Sequence, residues 1–145
     1  MRLEMTSDDD VNLNSGMSAF ESKHFAEAMN FLLPFAERGL GDAQHRVAIM
    51  FQNGLGTVGN EFQALKWMKK AAEQGHAVAQ HGLGFMYMQG DCVEKNGEKA
   101  VYWFTLAAEQ GLAGSQTTLA MMYENGDGIA KDPEKAQMWY KKAGF

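Results

Sequence analysis

The sequence predicts an all-α chain in which one helix pair is repeated along the length. The first observation is a period of 36 residues in residue identity. It links Trp67, Trp103 and Trp139; Gly39, Gly75 and Gly111; and Ala28, Ala64, Ala100 and Ala136. The second observation is helical spacing of the apolar residues within each period. A period of this length indicates copies of one unit that stack and share a continuous core.

The first helix of each repeat, called helix A, is predicted from its apolar stripe. Ala43, Val47, Met50 and Phe51 lie at positions i, i+4, i+7 and i+8, which is one face of an α-helix. Gly54 follows as a stop signal. The period then predicts further copies over 79–89 and 115–125. Ala48, Gly84 and Ala120 follow the stripe in each copy, and their small size lets helix A lie close to its partner.

The second helix, helix B, begins at a capping residue and ends near the repeated glycine. Asn60, Asn96 and Asp132 stand at the cap position, and Pro133 occupies the first helical position. The later copies are predicted over 97–110 and 133–143. The three tryptophans fall on the core side of helix B and are expected to be buried packing anchors at equivalent positions.

The N-terminal unit departs from this register. Helix B reappears over 25–38, but the segment before it is shorter than in the other units. We expect a flexible N-terminus over residues 1–10 and a single repeat domain over 11–145. Its units span about 11–40, 41–76, 77–112 and 113–145, which gives about four helix pairs.

Composition excludes several function classes. The net charge is −5 and no segment concentrates Lys or Arg, so nucleic acid is not an expected partner. No apolar run is long enough to span a membrane, and the start lacks the pattern of a signal peptide. The predicted location is cytoplasmic, or periplasmic if the chain is a mature or excised segment. The single Cys92 fits a reducing compartment.

No enzymatic motif, cofactor site or metal site is predicted. The sequence lacks the nucleophile elbow, the phosphate-binding loop and the zinc-protease motif, and the turn after helix A explains its Gly-x-Gly segments. His45 and His81 occupy equivalent positions, but no carboxylate or cysteine joins them in register. The chain is therefore expected to be non-catalytic.

The repeat resembles the Sel1-like repeat family, a branch of the tetratricopeptide superfamily. The resemblance covers about 17–145, with a shorter first unit that resembles an ordinary tetratricopeptide unit. The residues that carry it in the second full repeat are Ala79, Leu83, Gly84, Tyr87, Gly90, Asn96, Ala100, Trp103, Ala107, Ala108, Gln110 and Gly111. It implies a right-handed αα superhelix that serves as an adaptor or scaffold, often in bacterial proteins. Cys92 replaces a loop glycine that is kept as Gly56 and Gly128, which questions the conformation of that loop.

The resemblance implies that helix A lines a concave groove, so its residues off the core stripe are candidate partner contacts. These residues are His45, Ile49, Gln52, Asn53, His81, Phe85, Met88, Gln89, Thr117, Met121, Glu124 and Asn125. Ile49, Phe85 and Met121 are apolar in every copy, so they form either an exposed apolar ladder or part of the core between neighbouring helices. Both interpretations stay open at this stage.

Two function classes follow. The first is an adaptor that binds a peptide or amphipathic helix of a partner protein in the groove. The alternative is a binding domain for a cell-envelope glycan of the peptidoglycan type or for a small ligand. Self-association is a further expectation, because the last helix pair carries Met138, Tyr140, Ala143 and Phe145 at an end without a polar capping helix.

Overall fold

A computed structural model describes residues 4–145, and this part of the chain contains eight α-helices and no strand. The eight predicted helices are therefore confirmed. In chain order they are α1 (Ser7–Glu21), α2 (Phe25–Glu37), α3 (Gly41–Asn53), α4 (Glu61–Glu73), α5 (Ala77–Gln89), α6 (Gly97–Glu109), α7 (Ala113–Asn125) and α8 (Pro133–Lys142).

The chain divides into two compact units. The first ends at Gln74 and holds α1 to α4, and the second begins at Gly75 and holds α5 to α8. Within each unit every helix A packs on its own helix B, α3 on α4 in the first unit, and α5 on α6 and α7 on α8 in the second.

The helix boundaries follow the capping chemistry of the sequence. The side chains of Asn60, Asn96 and Asp132 each accept a hydrogen bond from the backbone N–H three residues later, at 3.0 to 3.1 Å. These bonds satisfy one of the free donors of the first helical turn. At the other end of helix A, the C-caps Gly54, Gly90 and Gly126 all take the left-handed conformation.

Cys92 keeps the loop conformation of the glycines it replaces. Its φ is 65°, against 69° for Gly56 and 72° for Gly128. The doubt that the sequence raised about this loop is therefore removed. An L-residue in this region costs about 1 to 2 kcal/mol relative to glycine, so the surrounding turn holds Cys92 in an unfavourable backbone conformation.

The first helix begins close to the N-terminus of the described chain. Thr6 and Asp9 form a reciprocal capping box, and α1 starts at Ser7, inside the segment that the sequence assigned to a flexible N-terminus. Arg38 fixes this end by an ion pair with Asp9 at 3.0 Å and a hydrogen bond to the carbonyl oxygen of Glu4 at 2.8 Å. The hydrogen bond from Arg38 also lowers the pKa of the Asp9 carboxyl. Residues 1–3 of the predicted segment lie outside the described residues.

The core of the second unit is organised around Phe104 on α6. Phe104 is fully buried together with Leu119 and Ala120 of α7, and Phe85, Tyr123 and other half-buried residues pack against this cluster. A Cβ atom on Gly84 of α5 would lie 2.8 Å from Cδ1 of Phe104. The small residue expected here is therefore required by a direct contact with the ring.

Two of the three tryptophans are buried as expected, and the third is not. Trp67 and Trp139 are 5% and 6% exposed, whereas Trp103 is only half-buried. The expectation of three equivalent buried rings is thus wrong for Trp103. The surroundings of the rings differ, because lysine side chains lie over Trp67 and Trp139, and none lies over Trp103 in the part of the chain that is described.

Buried glutamines join successive helix pairs within each unit. Gln44 Nε2 on α3 donates to the carbonyl oxygen of Ala36 at the end of α2, at 3.1 Å. Gln116 on α7 makes the same bond to Ala108 of α6 at 3.1 Å. Gln74, the C-terminal capping residue of α4, forms a further bond to the same amide. Its Nε2 donates to Gln44 Oε1 at 2.7 Å. Each bond satisfies polar groups that burial would otherwise leave without water.

We predict that Gln44→Ala lowers the free energy of unfolding by about 1 to 3 kcal/mol, because it removes two hydrogen bonds at a buried site. Urea denaturation at constant pH measures the change. Gln89→Ala is the control, since Gln89 is exposed and its loss should change stability by less than about 0.5 kcal/mol. Equal effects of the two substitutions would remove the glutamine bonds from the account of stability.

We also predict that Gly84→Ala destabilises the protein by about 1 to 3 kcal/mol, because the new methyl group overlaps the Phe104 ring. Helix propensity acts in the opposite direction, by about 0.5 to 1 kcal/mol. Gly114→Ala separates the two effects, since a Cβ there meets only His81 Cε1 at an ordinary 3.7 Å. Thermal unfolding should show a lower melting temperature for Gly84→Ala and an unchanged or higher one for Gly114→Ala.

Candidate functional site

The predicted groove residues are all accessible to some degree. In the first unit, α3 carries His45, Ile49 and Gln52, which are half-buried, and Asn53, which is exposed. In the second unit, the half-buried residues are His81, Phe85, Met88 and Thr117, and the exposed ones are Gln89, Met121, Glu124 and Asn125. No predicted groove residue is buried, so each has surface that a partner can contact.

In the second unit, a histidine and a serine connect the two A helices. His81 Nδ1 on α5 lies 2.6 Å from Ser115 Oγ on α7. Ser115 is fully buried, and the equivalent residues of the other repeats are Ala43 and Ala79. The substitution of serine for alanine at this position was the sequence signal for the contact, and the sequence analysis missed it. The bond orients the face of α5 that carries His81 toward the first turn of α7.

Phe85 contributes to both the core and the surface. Its ring makes edge-to-face contacts with His81 at 4.9 Å and with the buried Phe104 at 5.3 Å between centroids, yet the side chain remains partly exposed. The two interpretations of this residue are therefore not exclusive. Met121 on α7 is different, because 49% of its surface is exposed. Among the apolar residues predicted to line the groove in the second unit, Met121 is exposed, whereas Phe85 and Met88 are half-buried.

Polar groups around these apolar residues are held by local hydrogen bonds. Glu124 accepts a hydrogen bond from the Tyr140 hydroxyl at 3.2 Å. Thr117 Oγ1 donates to the carbonyl oxygen of Ala113 at 3.0 Å, one helical turn earlier. Partial burial, with a smaller effect from Glu124, raises the pKa of Tyr140. The polar flank of α7 is thus positioned by contacts within its own repeat.

Burial also affects His81, the titratable residue of α5 on this surface. Desolvation by the packing around it lowers the pKa of its imidazole. The imidazole contacts the rings of Phe85 and Phe104 and the hydroxyl of Ser115, and none of these three groups carries a charge that would stabilise the imidazolium. The neutral form is therefore favoured in the folded protein.

The end of the second unit exposes a mixed surface. Met138 and Phe145 are exposed, while Tyr140 and Ala143 are half-buried, and the Tyr140 and Phe145 rings meet at 5.8 Å. Gln137 and Lys141 line the depressions between these side chains. Among residues 4–145, no helix has the length and apolar composition needed to cross a membrane.

Comparison with known families identifies the repeat. The model of the Sel1 repeat matches residues 41–76, 77–112 and 113–144, which is more than half of the chain. The chain belongs to the Sel1 repeat family. Sel1 repeats commonly form scaffolds for protein interactions. A search of curated proteins finds no match.

Solved structures show the same solenoid fold. A Sel1 repeat protein from Oxalobacter formigenes has a TM-score of 0.83 and 33% identity over 90% of this chain. A protective antigen of uropathogenic Escherichia coli with an SLR fold has a TM-score of 0.87 and 29% identity over 93% of this chain. This chain spans 54% of the first protein and 30% of the second. The Helicobacter pylori cysteine-rich protein B shares the fold at 18% identity, with a TM-score of 0.64 over 83% of this chain and 86% of that protein.

We predict that stability falls as the pH drops below about 6.5, the ordinary pKa of histidine. In this pH range the unfolded chain binds a proton at His81 more readily than the folded protein does, because the pKa of His81 is lowered in the folded state. The free energy of unfolding therefore rises with pH between the lowered pKa and about 6.5. Urea unfolding at about pH 7.5 and about pH 5.5 measures the slope. His81→Gln should have a smaller slope than the wild type, and an identical slope would contradict the prediction.

Proposed function

We propose that this Sel1 repeat chain is a non-catalytic adaptor that binds a peptide or amphipathic helix of a partner protein through the predicted groove residues of its A helices. The observation that supports the proposal best is the apolar surface of the second unit. It combines Phe85 and Met88 on α5 with Met121 on α7, and all three side chains remain accessible. The lone cysteine supports a cytoplasmic location.

The chemistry of this surface suits an amphipathic partner. Apolar side chains from two helices are bordered by the amides of Gln89 and Asn125 and by the carboxylate of Glu124, and each of these polar residues is exposed. A helix placed in such a groove buries its apolar face and leaves its polar edges to the rim. Among the groove residues of this unit, Glu124 is the only acidic one, which favours a partner with a neutral or basic flank.

The alternative of a glycan or small ligand has less support in the groove. Sugar rings stack on exposed Trp or Tyr faces, and the only aromatic carbocycle among the groove residues of the second unit is Phe85, which already packs on Phe104. No observation within the groove favours the glycan over the peptide.

The test uses Met121→Ala. We expect the change to leave the melting temperature almost unaltered, because the side chain is 49% exposed. It should weaken capture of the partner by about fivefold or more, since a central interface residue contributes at least about 1 kcal/mol. Quantitative capture from a lysate, followed by titration of the enriched protein, measures both the identity and the affinity of the partner.

Val78→Ser is the matched control. Val78 is an exposed apolar residue on α5 that lies outside the predicted groove set. Equal losses of affinity with Met121→Ala and Val78→Ser, or no loss with Met121→Ala, would place the binding surface outside the groove. Phe85→Ala is less suitable as a first test, because its contact with Phe104 means that truncation should also cost about 1 to 3 kcal/mol of stability.

A further inference from the structure

In two repeats, a lysine of the same chain lies over the face of the tryptophan. Lys66 Nζ is 4.7 Å and Lys70 Nζ is 5.7 Å from the centroid of the Trp67 ring. Lys142 Nζ is 4.8 Å from the centroid of Trp139. Lys70 and Lys142 occupy the same position, three residues after their tryptophan, so this cation–π contact is a property of the repeat.

The repeat that contains Trp103 lacks this lysine. Leu106 stands three residues after Trp103, and Tyr102 stands where Lys66 precedes Trp67. No lysine or arginine of the described chain lies over the Trp103 ring, and the side chain is half-buried instead of buried. The described part of the chain therefore places no positive charge over the Trp103 ring, as it does over Trp67 and Trp139.

Tyr102 and Trp103 together form an aromatic corner on α6. Its ring centroid lies 5.1 Å from that of Trp103, the two planes meet at 86°, and 58% of the Tyr102 surface is exposed. The edge of one ring meets the face of the other, and the outer surfaces of both rings stay accessible in part, because Tyr102 is exposed and Trp103 is half-buried. The corner lies on α6, whereas the predicted groove residues lie on α3, α5 and α7.

Acidic side chains stand on the same side of α6. Glu98 precedes Tyr102 by four residues, which makes the two side chains neighbours on the helix, and Glu109 lies on the same face about two turns further along. Both glutamates are exposed. Lys99, the nearest cation along the helix, lies over the Tyr87 ring at 5.4 Å. The net charge of −5 adds a long-range attraction for cations.

We propose that Tyr102 and Trp103, flanked by Glu98 and Glu109, form a docking site for an arginine or lysine side chain of a partner protein. The partner's cation takes the place that Lys70 and Lys142 fill over the other two tryptophans. Arginine fits better than lysine, because a planar guanidinium stacks on one ring while its N–H groups donate to a carboxylate. The site goes beyond the proposed groove function, because it uses a different helix.

A carbohydrate is the competing occupant of an exposed aromatic surface. It would need one broad, flat ring face, whereas the Tyr102 and Trp103 planes are nearly perpendicular. The flanking carboxylates add nothing for a neutral sugar beyond hydrogen bonding, but they strengthen the binding of a cation. The observations therefore favour the basic side chain.

The experiment follows the three indole N–H signals of the whole chain by NMR during titration with a peptide of sequence acetyl-Ala-Arg-Ala-Arg-Ala-amide. We expect a saturable shift of the Trp103 signal that weakens when salt is added. The same peptide with citrulline in place of arginine keeps the shape and removes the charge. It should bind about 2- to 30-fold more weakly, the range that a single cation–π contact supplies.

Two variants make the test specific. Leu106→Lys introduces the lysine of the other repeats, which should cover Trp103 from within and abolish the response to the peptide. Tyr102→Ala removes the exposed wall of the corner and should weaken binding without unfolding the protein. Circular dichroism and the melting temperature of each variant establish that it is folded. Met121→Ala should bind the peptide like the wild type, so failure of this site and failure of the groove are distinguishable.

Three results would overturn the proposal. The first is equal binding of the arginine and citrulline peptides. The second is an undiminished response of folded Leu106→Lys and folded Tyr102→Ala. The third is a Trp103 signal that responds to a chitin oligosaccharide and not to the arginine peptide, which would assign the corner to a glycan.

Discussion

The structure depends on a buried amide at the start of helix A. Gln44 and Gln116 reach back to the last turn of the preceding helix B and bind a backbone carbonyl there. The same device continues within the repeat, where Gln110 donates to both Gln80 Oε1 and the carbonyl oxygen of Gly75. Because a buried amide group is costly without a partner, these bonds allow few alternative registers between neighbouring helices. Apolar packing supplies most of the stabilisation, and the glutamines define how the helices align.

Most of the fold could be predicted because its determinants are local or periodic. Caps such as Asn60 and Asn96, the stop glycines and the apolar stripes act within a few residues, and the 36-residue period carries each assignment to the next copy. The period did not predict the burial of Trp103, because the tryptophan is repeated but the residues around it are not. Burial of a side chain depends on its neighbours in space, and Trp103 has Leu106 at the position where the other two tryptophans have a lysine over the ring.

The candidate site could be predicted as a set of positions and not as a set of contacts. Helical spacing identified which side chains of α5 and α7 leave the core stripe, and every one is at least partly exposed. It could not show that Phe85 rests on Phe104, or that His81 reaches Ser115, because both contacts join residues from different helices. Sequence spacing describes one helix at a time, whereas these contacts depend on distances between helices.

The contact between Gly84 and Phe104 has a consequence for how such arrays change during evolution. Both residues belong to one repeat, and the neighbouring repeats combine alanine at the first position with Met68 or Tyr140 at the second. At position 84 the Phe104 ring leaves no room for a methyl group, so alanine there would require the ring to move. The observed glutamine bonds between successive helix pairs, in contrast, end on backbone carbonyls, which every residue type provides. Exchange of a whole repeat therefore keeps Gly84 together with Phe104, whereas a crossover inside this repeat can place an alanine against the Phe104 ring.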